Sequence, residues 1–155
     1  MLPIKKILCP TDFSEPSYEA VNAANKFAIH FNAELILIHV LSSVPVYPDS
    51  VMFMGDPIDP AVHDDREEFA KKLLIITMQE KIPQEVRAQS VLLNGSAPDE
   101  IIKHAESEET DLIVIGTHGL TGWRRLIFGS VAEKVVRLAS CPVLTIPATP
   151  ENDDL

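Results

Sequence analysis

Positive charge is scarce in this chain: 13 Lys and Arg stand against 23 Asp and Glu, for a net charge of −10. A broad surface for nucleic acid or for an anionic membrane needs basic patches that displace counterions, so neither partner is expected and any anion site must be local. Cysteine is equally sparse. Two in 155 residues make no disulfide framework, and Cys9 and Cys141, each beside a short apolar run, read as small buried hydrophobes with no metal or redox role. No apolar run approaches the ~18–20 residues that a spanning helix requires. The N-terminus, with Pro10 closing a short apolar run, lacks the apolar region and cleavage site of a signal peptide, so a cytoplasmic location is expected. Two nucleotide signatures are also missing: no G-x4-G-K-[ST] Walker loop exists, and no G-x-G-x2-G follows the first apolar run, so dinucleotide binding is unsupported. His30, His39, His63 and His104 show no ligand spacing with carboxylates or cysteines, and no protein-built metal site is read.

What is present describes one ordinary globular domain, with 46% hydrophobic and 23% charged residues in a chain of single-domain length. Five short apolar runs, Ile4–Cys9, Glu34–Val40, Val86–Leu93, Asp111–Ile115 and Pro142–Ile146, lack polar alternation and read as strands buried on both faces. Between them apolar residues recur at helical spacing: Ala20, Val21, Ala24, Phe27, Ala28 and Phe31; Val62, Phe69, Leu73 and Ile76; Ile101, Ile102 and Ala105; Val131, Val135 and Leu138. Ser14 before Glu15-Pro16, Ser96 before Asp99, and Ser130 before Glu133 as a capping box signal helix starts. Strands alternating with helices imply right-handed crossovers, hence an α/β fold: a doubly wound parallel sheet covered by helices on both faces. Residues 41 to about 60 show neither period and read as a long surface loop with three roles open: a lid, an interface through Val51-Met-Phe-Met54, or an inert connection. The domain is expected over residues 1–147, and residues 148–155 as a disordered acidic tail.

Four of the six glycines, at positions 116, 119, 122 and 129, fall in one window that follows the run Asp111-Leu-Ile-Val-Ile115 and precedes a helical stretch. The pattern Gly116-x2-Gly119-x9-Gly129-Ser130 thus lies where a strand's carboxyl end turns into a helix, the place where backbone amides and a helix N-terminus meet a phosphate. In a sheet ordered 3-2-1-4-5 this loop faces Pro10-Thr11-Asp12-Phe13-Ser14 across the switch point, where doubly wound sheets bind ligands. A carboxylate at Asp12 accepts hydrogen bonds from ribose hydroxyls or an adenine amino group, and the parts make a mononucleotide site. Plainer roles stand beside each: Asp12 as a cap of the first helix, Ser130 as a cap of the fourth, the glycines as a tight turn. His118 either donates to a phosphate or faces solvent, and Arg124 and Arg125 either offset phosphate charge or are simply solvated. A divalent cation, Mg²⁺ or Mn²⁺, would arrive on the phosphates.

On these residues the chain resembles the universal stress proteins. Lys6-Ile-Leu-Cys-Pro-Thr-Asp-Phe-Ser14 is similar to the family's opening strand and loop, and the glycine pattern matches its ATP-binding signature in full. Gly95-Ser-Ala-Pro-Asp-Glu-Ile101 and Ser140-Cys-Pro-Val-Leu-Thr-Ile146 are similar too, so the likeness spans about residues 3 to 147. It implies a five-stranded domain of order 3-2-1-4-5 and ATP held between the ends of the first and fourth strands. It further implies adenosine contacts at Pro10, Thr11, Asp12 and Val40, a wall at Ile115, and phosphate contacts at Gly116, Gly119, Gly129, Ser130 and Val131. Homodimerisation along the last strand agrees with Val143–Ile146 being an apolar sheet edge bounded by prolines. No Ser-His-Asp or Cys-His arrangement is visible, and His118 with Arg124 and Arg125 is too little to specify a hydrolase. The expectation is an ATP-binding regulatory module that signals to a protein partner the residues do not name. A slow ATPase and a dimeric interaction protein with an empty or differently occupied site are its alternatives.

Overall fold

The computed structural model describes residues 3–42, 60–118 and 128–149. Nine elements alternate along these segments: β1 (Lys6–Pro10), α1 (Glu15–Phe31), β2 (Glu34–Leu41), α2 (Pro60–Lys81), β3 (Ala88–Asn94), α3 (Ala97–Ser107), β4 (Leu112–Gly116), α4 (Ser130–Leu138) and β5 (Val143–Ile146). The strands form one sheet in the order β3-β2-β1-β4-β5, every neighbouring pair parallel. Each expected strand is found with its ends within two residues, and the expected doubly wound order is the observed one. Parallel pairing demands a crossover between consecutive strands, and the helices supply it.

Side chains of the inner strands alternate between two cores, because successive residues of a strand point to opposite faces. Ile7, Cys9, Leu35, Leu37 and Val114 pack against Ala20, Val21, Ala24 and Ala28 of α1 and Leu74 of α2. Leu8, Ile36, Ile38, Ile113 and Ile115 pack against Ile101 and Ala105 of α3 and Ala132 and Val135 of α4. Alanines on α1 let it ride close to the sheet. Its first turn comes so near the end of β4 that a Cβ at Gly116 would lie 3.1 Å from the Pro16 carbonyl oxygen, so any larger residue there would crowd the start of α1. Cys9 is wholly buried, and burial pushes its thiol up to about 12.

Three local expectations are corrected. The reading of every strand as buried on both faces fails for β3, where Gln89, Ser90 and Asn94 are exposed, and for β5, where no residue is fully buried; both are sheet edges. On α2 the inward face is expected at Val62, Phe69, Leu73 and Ile76, and the Val62 side chain lies outside the described ones. Instead Ala70, Leu74 and Thr77 are buried, while Phe69 is 64% exposed and Ile76 46%. Leu138 of α4 likewise points outward, leaving Ala132 and Val135 to meet the sheet. The capping signals also differ in detail. Ser14 does cap α1, its hydroxyl accepting from the Ser17 amide at 3.3 Å, and Ser96 occupies the cap of α3 without a side-chain cap bond. The cap of α4 is Gly129, not Ser130, and Glu133 is paired along its own helix with Arg137, so the expected Ser130–Glu133 capping box does not form.

Candidate functional site

β1 and β4 are neighbours, yet β1 leads into α1 on one face of the sheet and β4 leads towards α4 on the other. The two connections diverge, and a cleft of about 260 Å³ opens beyond the strand ends. Its apolar floor and wall come from Ile38 and Val40 of β2, Ile115 of β4 and Ile101 of α3. Its rim is polar and consists of the loop after β1, the residues after β4 and the start of α4.

The first loop is held by hydrogen bonds at Thr11, Asp12, Phe13 and Ser14. The Thr11 amide donates to the Ile38 carbonyl at 2.8 Å, and the Thr11 hydroxyl accepts from the Phe13 amide at 3.0 Å and lies 2.9 Å from the Ser17 hydroxyl. The Thr11 carbonyl accepts from Nδ1 of His39 at 2.8 Å. Phe13 sits at φ 65°, in the left-handed region that aromatic residues avoid, with its ring centroid 4.5 Å from that of His39. Asp12 lines the cleft. Its Oδ1 accepts from the Ser14 amide at 3.0 Å and from the Ser14 hydroxyl, so Asp12 braces the helix cap without being the cap. Only Oδ1 is engaged in these bonds.

At the opposite rim the Thr117 amide donates to Ile146, and the Thr117 carbonyl accepts from the Gly129 amide at 2.7 Å. A Cβ at Gly129 would lie 3.2 Å from that carbonyl. This tie fixes the start of α4 against the end of β4, and it uses the Gly129 N–H. The Glu133 amide returns to the Gly129 carbonyl, which leaves the amides of Ser130, Val131 and Ala132 as the first-turn donors with no partner inside the helix. Ser130 and Val131 line the cleft beside them, so a helix N-terminus with its partial positive charge faces the cavity. His118 points Nδ1 at the Thr117 hydroxyl, 2.8 Å away, and its Nε2 is buried with no hydrogen-bond partner among the described residues. Lys134 of α4 reaches Asp99 of α3 at 2.8 Å, and that bond holds the Asp99 carboxyl below its ordinary range, with help from Ser96. The pair joins the two helices that wall the cleft.

Ten of the twelve residues expected at the site, Pro10, Thr11, Asp12, Val40, Ile115, Gly116, His118, Gly129, Ser130 and Val131, line this one cavity. Gly119 and Arg125 lie outside the described residues, as do Arg124 and most of the 41–60 loop. Sequence reasoning missed His39, Ser17, Thr117 and the α3 wall at Ala97 and Ile101. His39 carries no motif of its own; its place as the residue before Val40 in β2 was the only available signal. Among the described residues no lysine or arginine lines the cleft, and no group of three His, Cys, Asp or Glu side chains converges for a metal. No described helix is long and apolar enough to cross a membrane.

Known proteins share both sequence and fold with this chain. Universal stress protein MJ0531 of Methanocaldococcus jannaschii is 36% identical over 144 residues, covering 92% of this chain and 81% of that protein. Universal stress protein MJ0577 of the same organism is 30% identical, covering 92% of this chain and 94% of its own length. The solved MJ0577 structure superposes with a TM-score of 0.80 over 97% of this chain and 100% of that one. More distant solved structures, at 22% and 21% identity and TM-scores of 0.57 and 0.60, are a universal stress protein in complex with cAMP and the Archaeoglobus fulgidus protein in complex with dAMP; the first covers 92% of this chain and 95% of that one, the second 94% and 99%. The universal stress protein family model matches residues 3–147, and the chain belongs to that family.

Proposed function

We propose that this chain is an ATP-binding regulatory module. One observation carries the reading: an apolar slot, a carboxylate and a helix N-terminus with three amides unpaired within the helix converge on a single cleft at the switch point of the sheet. Each part suits one part of the nucleotide. Ile38, Val40, Ile101 and Ile115 offer the apolar surface a purine ring needs, and Oδ2 of Asp12, which takes no bond from Ser14, is an acceptor for ribose hydroxyls. The amides of Ser130, Val131 and Ala132 and Nε2 of His118, unpartnered among the described residues, supply donors for phosphate oxygens. A Mg²⁺ or Mn²⁺ ion would come with the phosphates, offsetting charge that no lysine or arginine among the described cleft residues offsets. That relatives of this fold are described in complex with cAMP and dAMP supports an adenine nucleotide as the ligand class.

Hydrolysis is not part of the proposal, because phosphoryl transfer requires a positioned acceptor and charge stabilisation at the transferring oxygens, and of the two imidazoles lining the described cleft, His39 and His118, the first is bonded to the Thr11 carbonyl. Regulation requires only that ATP bind two states of the protein unequally. Titration of nucleotide-stripped protein with ATP and Mg²⁺ by calorimetry tests the reading. The expected result is one site per chain in the micromolar range, about −8 kcal/mol; absence of heat at millimolar ATP, at two temperatures, would sink it.

The module is proposed to act as a homodimer through β5, which is an edge of the sheet with every residue half-buried. The Ile113 amide donates to the Pro142 carbonyl and the Thr117 amide to the Ile146 carbonyl, so by strand alternation the amides of Val143 and Thr145 face outward from that edge. Thr145→Pro removes one of these outward donors and leaves the bonds to β4 intact. It is expected to give a folded monomer in sedimentation velocity, since an edge strand tolerates proline where its N–H faces away from the sheet. A variant that sediments as a dimer would move the interface elsewhere.

A further inference from the structure

We propose that His39 is a positioning residue for the nucleotide, acting on Asp12 through both of that residue's neighbours. The inference rests on the ATP reading above and assigns Asp12 to the ribose hydroxyls. His39 lies in β2 and belongs to neither the glycine loop nor the loop that carries Asp12. Yet its imidazole touches that loop twice. Nδ1 donates to the carbonyl of Thr11, and the ring packs on Phe13 at a centroid distance of 4.5 Å. Thr11 and Phe13 are the two residues that flank Asp12.

The contacts are directional. A carbonyl only accepts, so the bond to Thr11 requires the proton on Nδ1 and fixes how the ring is oriented. Phe13 occupies a left-handed backbone conformation that its side chain disfavours, and it is held there by the Thr11 hydroxyl bonded to its amide and by the imidazole against its ring. That conformation turns the chain sharply after Asp12, bringing the Ser14 amide and hydroxyl back to Oδ1. Oδ1 is thereby occupied within the loop, and the remaining oxygen is set by the loop's shape. Without the imidazole the Thr11 carbonyl, on a residue only 5% exposed, loses its donor, and Phe13 loses one of its two supports. Asp12 would then sample orientations that do not present an acceptor to the ligand.

The test compares ATP with 2′,3′-dideoxy-ATP, each with Mg²⁺, in calorimetric titrations of the full chain. His39→Leu is expected to weaken ATP about tenfold and the dideoxy analogue little, because only ATP offers the hydroxyls that Asp12 receives. His39→Asn, whose amide nitrogen reproduces the Nδ1 position, is expected to restore most of the loss. His39→Gln, whose amide reproduces the Nε2 position, is not. In a double-mutant cycle, His39→Leu with Asp12→Asn is expected to bind ATP no more weakly than Asp12→Asn alone. Equal losses for the two nucleotides, additive losses in the cycle, or an Asn variant as weak as the Gln variant would overturn the proposal. If His39→Leu fails to fold by circular dichroism, the Asn and Gln pair decides alone. Wild-type protein that binds neither nucleotide overturns the ATP reading and this proposal together, whereas wild-type binding with no discrimination among the variants overturns this proposal only.

Discussion

Asp12→Asn is expected to lower ATP affinity by about tenfold to a hundredfold without lowering the melting temperature. The substitution is nearly isosteric, and the geometry decides which way the amide lies. Both Ser14 bonds are donated to Oδ1, so the asparagine oxygen must take that place and its NH₂ group must take the place of Oδ2. An acceptor facing the cleft becomes a donor, and the charge is lost with it. Hydrogen bonds that involve a charged group contribute about 1.5–3 kcal/mol, and each 1.4 kcal/mol is roughly a factor of ten in binding. The brace on the α1 cap survives, because Ser14 keeps its acceptor and still receives the Ser17 amide. Asp12→Ala would confound these effects by removing the brace as well. Calorimetry for affinity and a thermal melt for stability separate the two roles. Unchanged affinity would place the ribose elsewhere, and a fall in melting temperature of several degrees would mean that the bracing role dominates.

The sheet was legible because its strands are runs of Ile, Leu and Val that no helix-length period fits, with helical stretches between them. The glycine pattern then fixed which loop faces which. Where the sequence misled, the cause is physical. Leu73-Leu-Ile-Ile76 of α2 has four apolar residues in a row, so it has no phase, and a stripe through Phe69 and Ile76 fits as well as the buried one through Ala70, Leu74 and Thr77. Packing selected the smaller residues. Ser130 looked like a cap because serine caps helices well, but the Gly129 amide is drawn to the Thr117 carbonyl and Gly129 takes the cap, so the helix starts one residue earlier and Ser130 is its first residue, at the cleft. His39 was invisible for another reason. Its role depends on a contact with Thr11, 28 residues away, that exists only once β1 and β2 lie side by side.

The same distinction between apolar residues that pack and those that only recur sets the largest stability effect expected. Leu8 lies in the central strand, fully buried, in register with Ile36 on one side and Ile113 on the other. Leu8→Ala would leave a cavity among Ile36, Ile38, Ile113 and Val135 that strands bonded on both edges cannot close. The expected cost is about 2–5 kcal/mol, and at about 2–4 °C per kcal/mol the melting temperature should fall by roughly 10 °C. Phe69→Ala removes a larger side chain from α2, yet with 64% of the residue exposed it should change stability by no more than about 0.5 kcal/mol. Thermal or urea unfolding of the two variants side by side makes the comparison. A Phe69 variant destabilised as much as the Leu8 variant would mean that the outer stripe of α2 is covered in solution. A Leu8 variant of unchanged stability would contradict the two-sided core itself, and with it the rigid strand end from which Thr11 and Asp12 enter the cleft.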